Sequence, residues 1–280
     1  MEQKVKLLKT YKIIKDSTEE KLLQEIQEFD LNGNLIYSKE YDDSGNIEME
    51  VKAEFDENGK PIKETTINYI DDIEETKTFT YDESGKLLSE RTDNKQGWFS
   101  VKKYERLNDG KTVRVTLVDE DDEPEEITEV ELNEKGDIVS NKLFDENNKL
   151  TEAQKNKYNE EGVLILREEL DHKGKIEKAH HYYYTDSKKI QAVKTLNRKG
   201  KTIDWVKVEY DESDRPVEQF TMSGAKFKME YNEDGSVTES QFSPGGEEIS
   251  RNTNFYDEKH NLIKQEHTEY IIIYEHEYFD

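Results

Sequence analysis

The chain has 280 residues and no cysteine, with 41 Lys and Arg against 66 Asp and Glu, a formal charge of -25, 32% hydrophobic residues and 10% aromatic residues. So acidic a surface repels phosphate backbones and anionic lipids, which argues against sequence-independent nucleic-acid binding; without cysteine there is no disulfide framework, thiolate metal site or cysteine nucleophile. Met1-Glu2-Gln3-Lys4-Val5 shows no basic region leading into an apolar core, and the longest apolar run, Ile271-Ile272-Ile273, falls far short of the ~20 residues of a membrane helix. The expectation is a soluble, cytoplasmic protein with neither membrane nor nucleic-acid partner.

In chain order, Val5 to Lys15 reads as a strand, Asp16-Ser17-Thr18 as a turn and Leu22 to Phe29 as a second strand, with a short helix over Glu19 to Glu28 as the competing reading. From there a phrase recurs: aromatic, Asp or Asn, two polar residues, Gly, a polar residue, then aliphatics. It stands as Phe29-Asp30-Leu31-Asn32-Gly33-Asn34-Leu35-Ile36, then at Tyr41, at Phe55 (with Asn58-Gly59-Lys60) and as Tyr81-Asp82-Glu83-Ser84-Gly85-Lys86-Leu87. Later copies begin at Phe144, Tyr158, Tyr210, Tyr231 and Tyr256, and Leu replaces the aromatic at Leu107, Leu132, Leu170 and Leu196. Asp or Asn at a strand end bonds the following amides, and Gly, or Asn148 and Asn261 in its place, supplies the positive φ of a short hairpin loop. Imperfect turns fall near Asp71, Gln96, Asp122, Ser187, Gly224 and Gly245.

The phrases at 132, 144, 158, 170, 184, 196 and 210 alternate spacings of 12 and 14, a two-strand unit of about 26 residues. Side chains alternate faces with period two, so even spacings predict one apolar face throughout the repeat. Val113, Val115 and Leu117 alternate in this way, as do Phe227, Met229 and Tyr231.

The phrase Tyr81-Asp82-Glu83-Ser84-Gly85-Lys86-Leu87 resembles the YD repeat of Rhs-type proteins, although most copies lack the Arg usual after the Gly. That resemblance implies β-hairpins coiling as a continuous strip into a shell or tube. The Asn-Gly-Lys turns are also similar to those of MORN-like repeat antitoxins. Either kinship implies a bacterial structural or interaction protein without catalytic residues. The fold expected is all-β: one domain over residues 1–280, a continuous antiparallel meander of about 21 strands curled into a spiral, tube or shell with its aromatic face inward. A five-bladed β-propeller is the alternative.

Candidate chemistry is sparse. Gly-x-Ser-x-Gly, phosphate-loop and dinucleotide motifs are absent from the sequence, so no enzyme activity and no cofactor are expected. His267, Glu269, Glu275 and Glu277 read as sharing a strand face, but a solvated polar face is preferred to a metal site there. The acidic turns read as turn chemistry rather than calcium loops, and Asp119 to Glu126, seven acids in eight residues, as a solvated loop. At the end of the array Tyr270, Ile272, Tyr274, His276 and Tyr278 line one face of a strand; that face reads as a cap on the core, with an edge open to strand addition by a partner as the alternative. Tyr270, Tyr274, Tyr278, Trp98 and Trp205 are therefore the candidate partner-binding residues. The function expected is that of a non-enzymatic scaffold or interaction module for a protein partner, a basic toxin or effector suiting its negative field. The alternative is a carbohydrate-binding or carbohydrate-hydrolysing protein using the two tryptophans.

Overall fold

The computed structural model describes residues 3–15 and 20–280; the turn expected at Asp16-Ser17-Thr18 lies outside them. The strands are β1 (Val5–Ile14), β2 (Leu22–Phe29), β3 (Leu35–Tyr41), β4 (Ile47–Phe55), β5 (Pro61–Asn68), β6 (Ile73–Tyr81) and β7 (Leu87–Asn94). Then come β8 (Phe99–Leu107), β9 (Thr112–Val118), β10 (Pro124–Leu132), β11 (Ile138–Asp145), β12 (Leu150–Tyr158), β13 (Leu164–Leu170), β14 (Ile176–Tyr184), β15 (Ile190–Asn197), β16 (Thr202–Tyr210), β17 (Pro216–Thr221) and β18 (Lys226–Tyr231). The chain ends with β19 (Val237–Phe242), β20 (Glu248–Tyr256), β21 (Leu262–His267) and β22 (Tyr270–Tyr278). Of the stretch Glu19 to Glu28, the described residues 20–28 make no helix and run into β2, and a three-residue 3-10 turn at Asn108–Gly110 is the helical element among the described residues.

Contacts divide the chain into two compact units, Met1–Phe99 with Glu230–Ser240 and Ser250–Asp280, and Ser100–Met229 with Gln241–Ile249. In the first, antiparallel ladders run from β20 through β21, β22 and β1 to β7. In the second they run from β8 to β18. Such long unbroken ladders are not the four-stranded blades of a propeller. β1 pairs with β2 on one side and β22 on the other, so within the first unit the first and last strands of the meander lie side by side and the chain does not end as an open spiral. β22 is likewise paired on both sides, with β1 and β21. It is not an edge, and strand addition there has no free amides to use.

The turn at Tyr41 shows why the phrase works. Asp42 N–H donates to the Asn46 carbonyl and Gly45 N–H to the Asp42 carbonyl, while Asp42 Oδ1 accepts the amides of Ser44 and Asn46, both at 2.8 Å. Gly45 sits at φ 80, the left-handed region that closes this bulged loop. In other copies the same position is held by Asn148, Lys188, Asp214 and His260, at φ between 57 and 66. The positive φ in the last phrase therefore falls on His260 and not on Asn261, because the fifth residue of the phrase takes it. In hairpin after hairpin a further one-residue register shift falls at the aromatic or leucine that opens the phrase, as at Tyr41, Tyr158, Leu170 and Tyr184. Such bulges raise local twist and bend the strands.

Neither face is apolar throughout. In the second unit the face carrying Val113, Val115 and Leu117 carries Asn141, Gln154, Glu169 and His180 a few strands on, as the register requires. The buried apolar residues among those described are Val118, Ile127 and Leu170, and no large side chain is wholly buried. Apolar burial gathers beside turns, because the repeated phrase puts its aromatic or aliphatic residues there and leaves mid-strand positions free to be polar.

Candidate functional site

The half-buried polar groups of the first unit gather on one face of β20, β21, β22, β1, β2 and β3. Antiparallel partners share a face, and the register sets Thr10 opposite both Tyr274 and Glu25, and Glu25 opposite Glu40. Gln27 stands opposite Ser38, which is buried. On the other side of Tyr274, its hydroxyl donates to Gln265 Oε1 at 2.6 Å, and Gln265 Nε2 donates to Asn254 Oδ1 at 3.0 Å. Asn254 is 6% exposed and also accepts from Asn252 Nδ2 at 3.1 Å. A continuous polar chain thus crosses the sheet, in the place where a sandwich or bundle would put leucines.

Its electrostatics centre on Glu25. Burial, then the facing Glu40 carboxylate, push the Glu25 carboxyl above the ordinary glutamate range, against the hydrogen bond it accepts from Gln27 Nε2 at 2.8 Å. Tyr274 is pushed up by burial, by Glu25 and by Tyr270. Two facing carboxylates in a partly desolvated setting repel each other unless a proton or an external cation stands between them. The arrangement is therefore suited to accept a guanidinium or ammonium group. Among the described residues no group of three or more His, Asp or Glu is placed to hold a metal ion.

Of the residues singled out in the sequence, Tyr274 belongs to this network. Tyr270 lies on the same face of β22, stacked on His267 with ring centroids 4.3 Å apart, and burial, then Lys15, hold the His267 imidazole below its usual range. His267 and Glu275 do not share a face: His267 follows Gln265 on β21, whereas Glu275 pairs with Lys9 on the opposite side, because the chain reverses between the two strands. Tyr278 acts elsewhere, its hydroxyl accepting from Asn261 Nδ2 at 3.0 Å and its ring 4.4 Å from the Lys259 ammonium. Trp98 is 61% exposed in the turn before β8, and Trp205 is 37% exposed opposite Lys194. Both indoles are open to solvent, but each sits in a different unit and Trp205 faces lysine, not a carboxylate pair. Glu25, Gln27, Glu40, Gln265 and Asn254 escaped the sequence reading. Their signal was the polar residues in mid-strand of β2 and β21, which gain meaning only once β22 is known to lie beside β1.

An all-β antiparallel meander of hairpin repeats is the class that these features define. No protein-family model matches the chain, and no curated protein matches it. Solved structures to which it is similar include TcdB2-TccC3, at 12% identity and TM-score 0.45, covering 95% of this chain and 15% of that one. TcdB2-TccC3 without its hypervariable C-terminal region matches at 14% identity and TM-score 0.33, covering 95% of this chain and 18% of that one. A porin-like protein from Bacteroides uniformis ATCC 8492 matches at 12% identity and TM-score 0.35, over 82% of this chain and 95% of that one. The chain spans under a fifth of the TcdB2-TccC3 chains. Likenesses this distant carry no argument about activity, partner or location.

Proposed function

We propose that the protein is a soluble, non-enzymatic β-scaffold that docks a basic protein, of the toxin or effector kind, on the polar face of its first unit. The observation that carries this reading is the Glu25–Glu40 pair, directly opposed and partly desolvated beside Tyr274. A lysine or arginine brought between them would relieve their repulsion, and the net charge of -25 would steer such a partner toward the surface.

Solubility is part of the proposal because both faces of the first unit carry charges in mid-strand. Glu25, Glu40, Glu64 and Lys77 lie on one side, with Lys39, Glu50, Lys52 and Arg91 on the other. A lipid-facing strand needs an apolar band, and Lys or Arg at the bilayer midplane costs about 2–4 kcal/mol each. No helix among the described residues is long and apolar enough to cross a membrane.

The test is capture from a native lysate at low and at moderate salt, with identification by mass spectrometry and a parallel capture by the Glu25→Gln/Glu40→Gln double variant. The expected result is a basic protein retained by the parent chain and lost by the variant. Recovery of no protein at either salt, or equal recovery by the variant, would overturn the reading.

A further inference from the structure

The second unit carries a groove of about 550 Å³ that the acidic pair of the first unit does not explain, within the size range of small-molecule sites. Two rows of the register form its floor. Thr128, Leu143 and Glu152 stand opposite one another across β10 to β12, and Asn141, Gln154 and Glu169 across β11 to β13, all lining the groove.

Two of these groups are held in place from behind. Asn156 Nδ2 donates to the Ile138 carbonyl at 2.9 Å and its Oδ1 accepts from Gln154 Nε2 at 3.1 Å, which orients the Gln154 amide and leaves its oxygen as an acceptor. Glu169 is gripped on both oxygens, by His180 Nε2 at 3.0 Å and by the Lys178 ammonium at 3.3 Å. His180 is itself fixed by Thr195, whose Oγ1 lies 3.0 Å from its Nδ1 and which is 9% exposed. Sites that hold their polar groups in this way lose little entropy when a ligand arrives.

The chemistry of the floor selects the ligand class. Amides and a hydroxyl that both donate and accept alternate with carboxylates, and Leu143 supplies an apolar spot among them. The charge of Glu169 is already met by Lys178. A ligand with closely spaced hydroxyls and a C–H face complements such a surface, whereas a bare cation would leave the amides and the leucine unused. The geometry points to this groove as a binding site for a neutral sugar, a mono- or disaccharide seated on Gln154, Asn141 and Leu143. It is independent of the tryptophans, since Trp205 lies on the opposite face of the sheet from Glu169 and His180.

The experiment is saturation-transfer NMR followed by titration of the intact chain with glucose, galactose, N-acetylglucosamine and cellobiose, and with cadaverine as an amine probe. The expected result is saturable binding of at least one sugar, weakened about tenfold or more by Gln154→Leu and by Asn141→Ala, with both variants folded by circular dichroism. Asn141 is exposed, so its variant tests the site without threatening the fold. Silence from every sugar, binding of cadaverine alone, or sugar binding untouched by either substitution would overturn the assignment. The Glu25→Gln/Glu40→Gln variant should bind sugar normally, which separates this site from the docking face.

Discussion

Within the second unit the hairpins turn in two rows, and the rows are held together differently. In one, comprising the turns at 133–137, 159–163, 185–189 and 211–215, each tyrosine reaches the backbone of the turn before it on that side. Tyr158, Tyr184 and Tyr210 donate to the carbonyls of Ile138, Leu164 and Ile190, each 20 residues earlier, at 2.8, 2.6 and 2.8 Å. Lysines reach the other way, Lys135 to the Glu160 carbonyl at 3.4 Å and Lys189 to the Asp214 carbonyl. In the other row, at 119–123, 145–149, 171–175 and 197–201, the opening residues are Val118, Phe144, Leu170 and Leu196. Val118 and Leu170 are buried, and Ile127, opposite Phe144, is buried as well. One row is fastened by polar groups to carbonyls and the other by apolar contact. A chain with few hydrophobic residues can hold a large sheet together because only alternate turns draw on them.

Leu170→Ala should produce the largest change, costing about 2–4 kcal/mol by lost burial and a cavity, read as a lowered midpoint of chemical denaturation. A cost near that of an exposed position would mean that burial of Leu170 does not fasten this row. The side-chain oxygen of the turn Asn or Asp is common to both rows, so Asn159→Ala and Asn197→Ala should cost alike, about 1–2 kcal/mol each, since each loses two amide bonds. Unequal losses measured in the same denaturant series would show that the rows differ even in their turns. Tyr184→Phe removes one hydroxyl bond at part-buried depth and should cost about 1 kcal/mol in the same denaturant series. Lys188, a non-glycine residue at φ 63, should be improved by Lys188→Gly, with about 0.5–1 kcal/mol gained from relief of the left-handed backbone after glycine's entropy cost.

The smallest effect separates, by pH, the turns held by an aspartate from those held by Asn or Thr. Asp30, Asp42 and Asp257 are held below the usual aspartate range chiefly by side-chain bonds from Asn34, Asn46 and Asn261, and Asp56 and Asp82 chiefly by the backbone amides of Lys60 and Lys86. A carboxyl whose folded pKa lies below its unfolded value stabilises the fold fully above that unfolded value, near 3.9, and ceases to do so as pH falls through the folded value. The polar row of the second unit relies at three of its four turns on Asn133, Asn159 and Thr185, which do not titrate there. Acidification below about pH 4 should therefore shift the amide resonances of Asn34, Asn46 and Lys60 before those of Val163 and Lys189. Simultaneous shifts would remove the distinction.

The hairpins themselves were legible in the sequence to a useful degree. About 21 strands are readable from the spacing of turns and 22 are present among the described residues, and β2 begins and ends at Leu22 and Phe29 as read from the sequence. The 26-residue period also contains the polar clamps, since Lys60 and Tyr81, and Lys189 and Tyr210, meet at ring distances of 5.3 and 5.7 Å with the same offset in the chain. The single apolar face and the free C-terminal edge did not survive. The first fails because apolar residues are spent beside turns; the second fails because β22 finds β1.

The difference follows from range. A turn is decided within five residues, by an Asx oxygen, two backbone bonds and a left-handed position, so the sequence alone determined where the chain reverses and that it is all β. Which strand lies beside the last one depends on twist and bulges summed over the whole meander, and Lys12 meets Ile272 only through that sum. The tertiary structure alone decided that Glu25 and Tyr274 both stand against Thr10, and that Gln154 and Glu169 share a floor, because these neighbours are chosen by register across strands and not by the residues next to them in the chain.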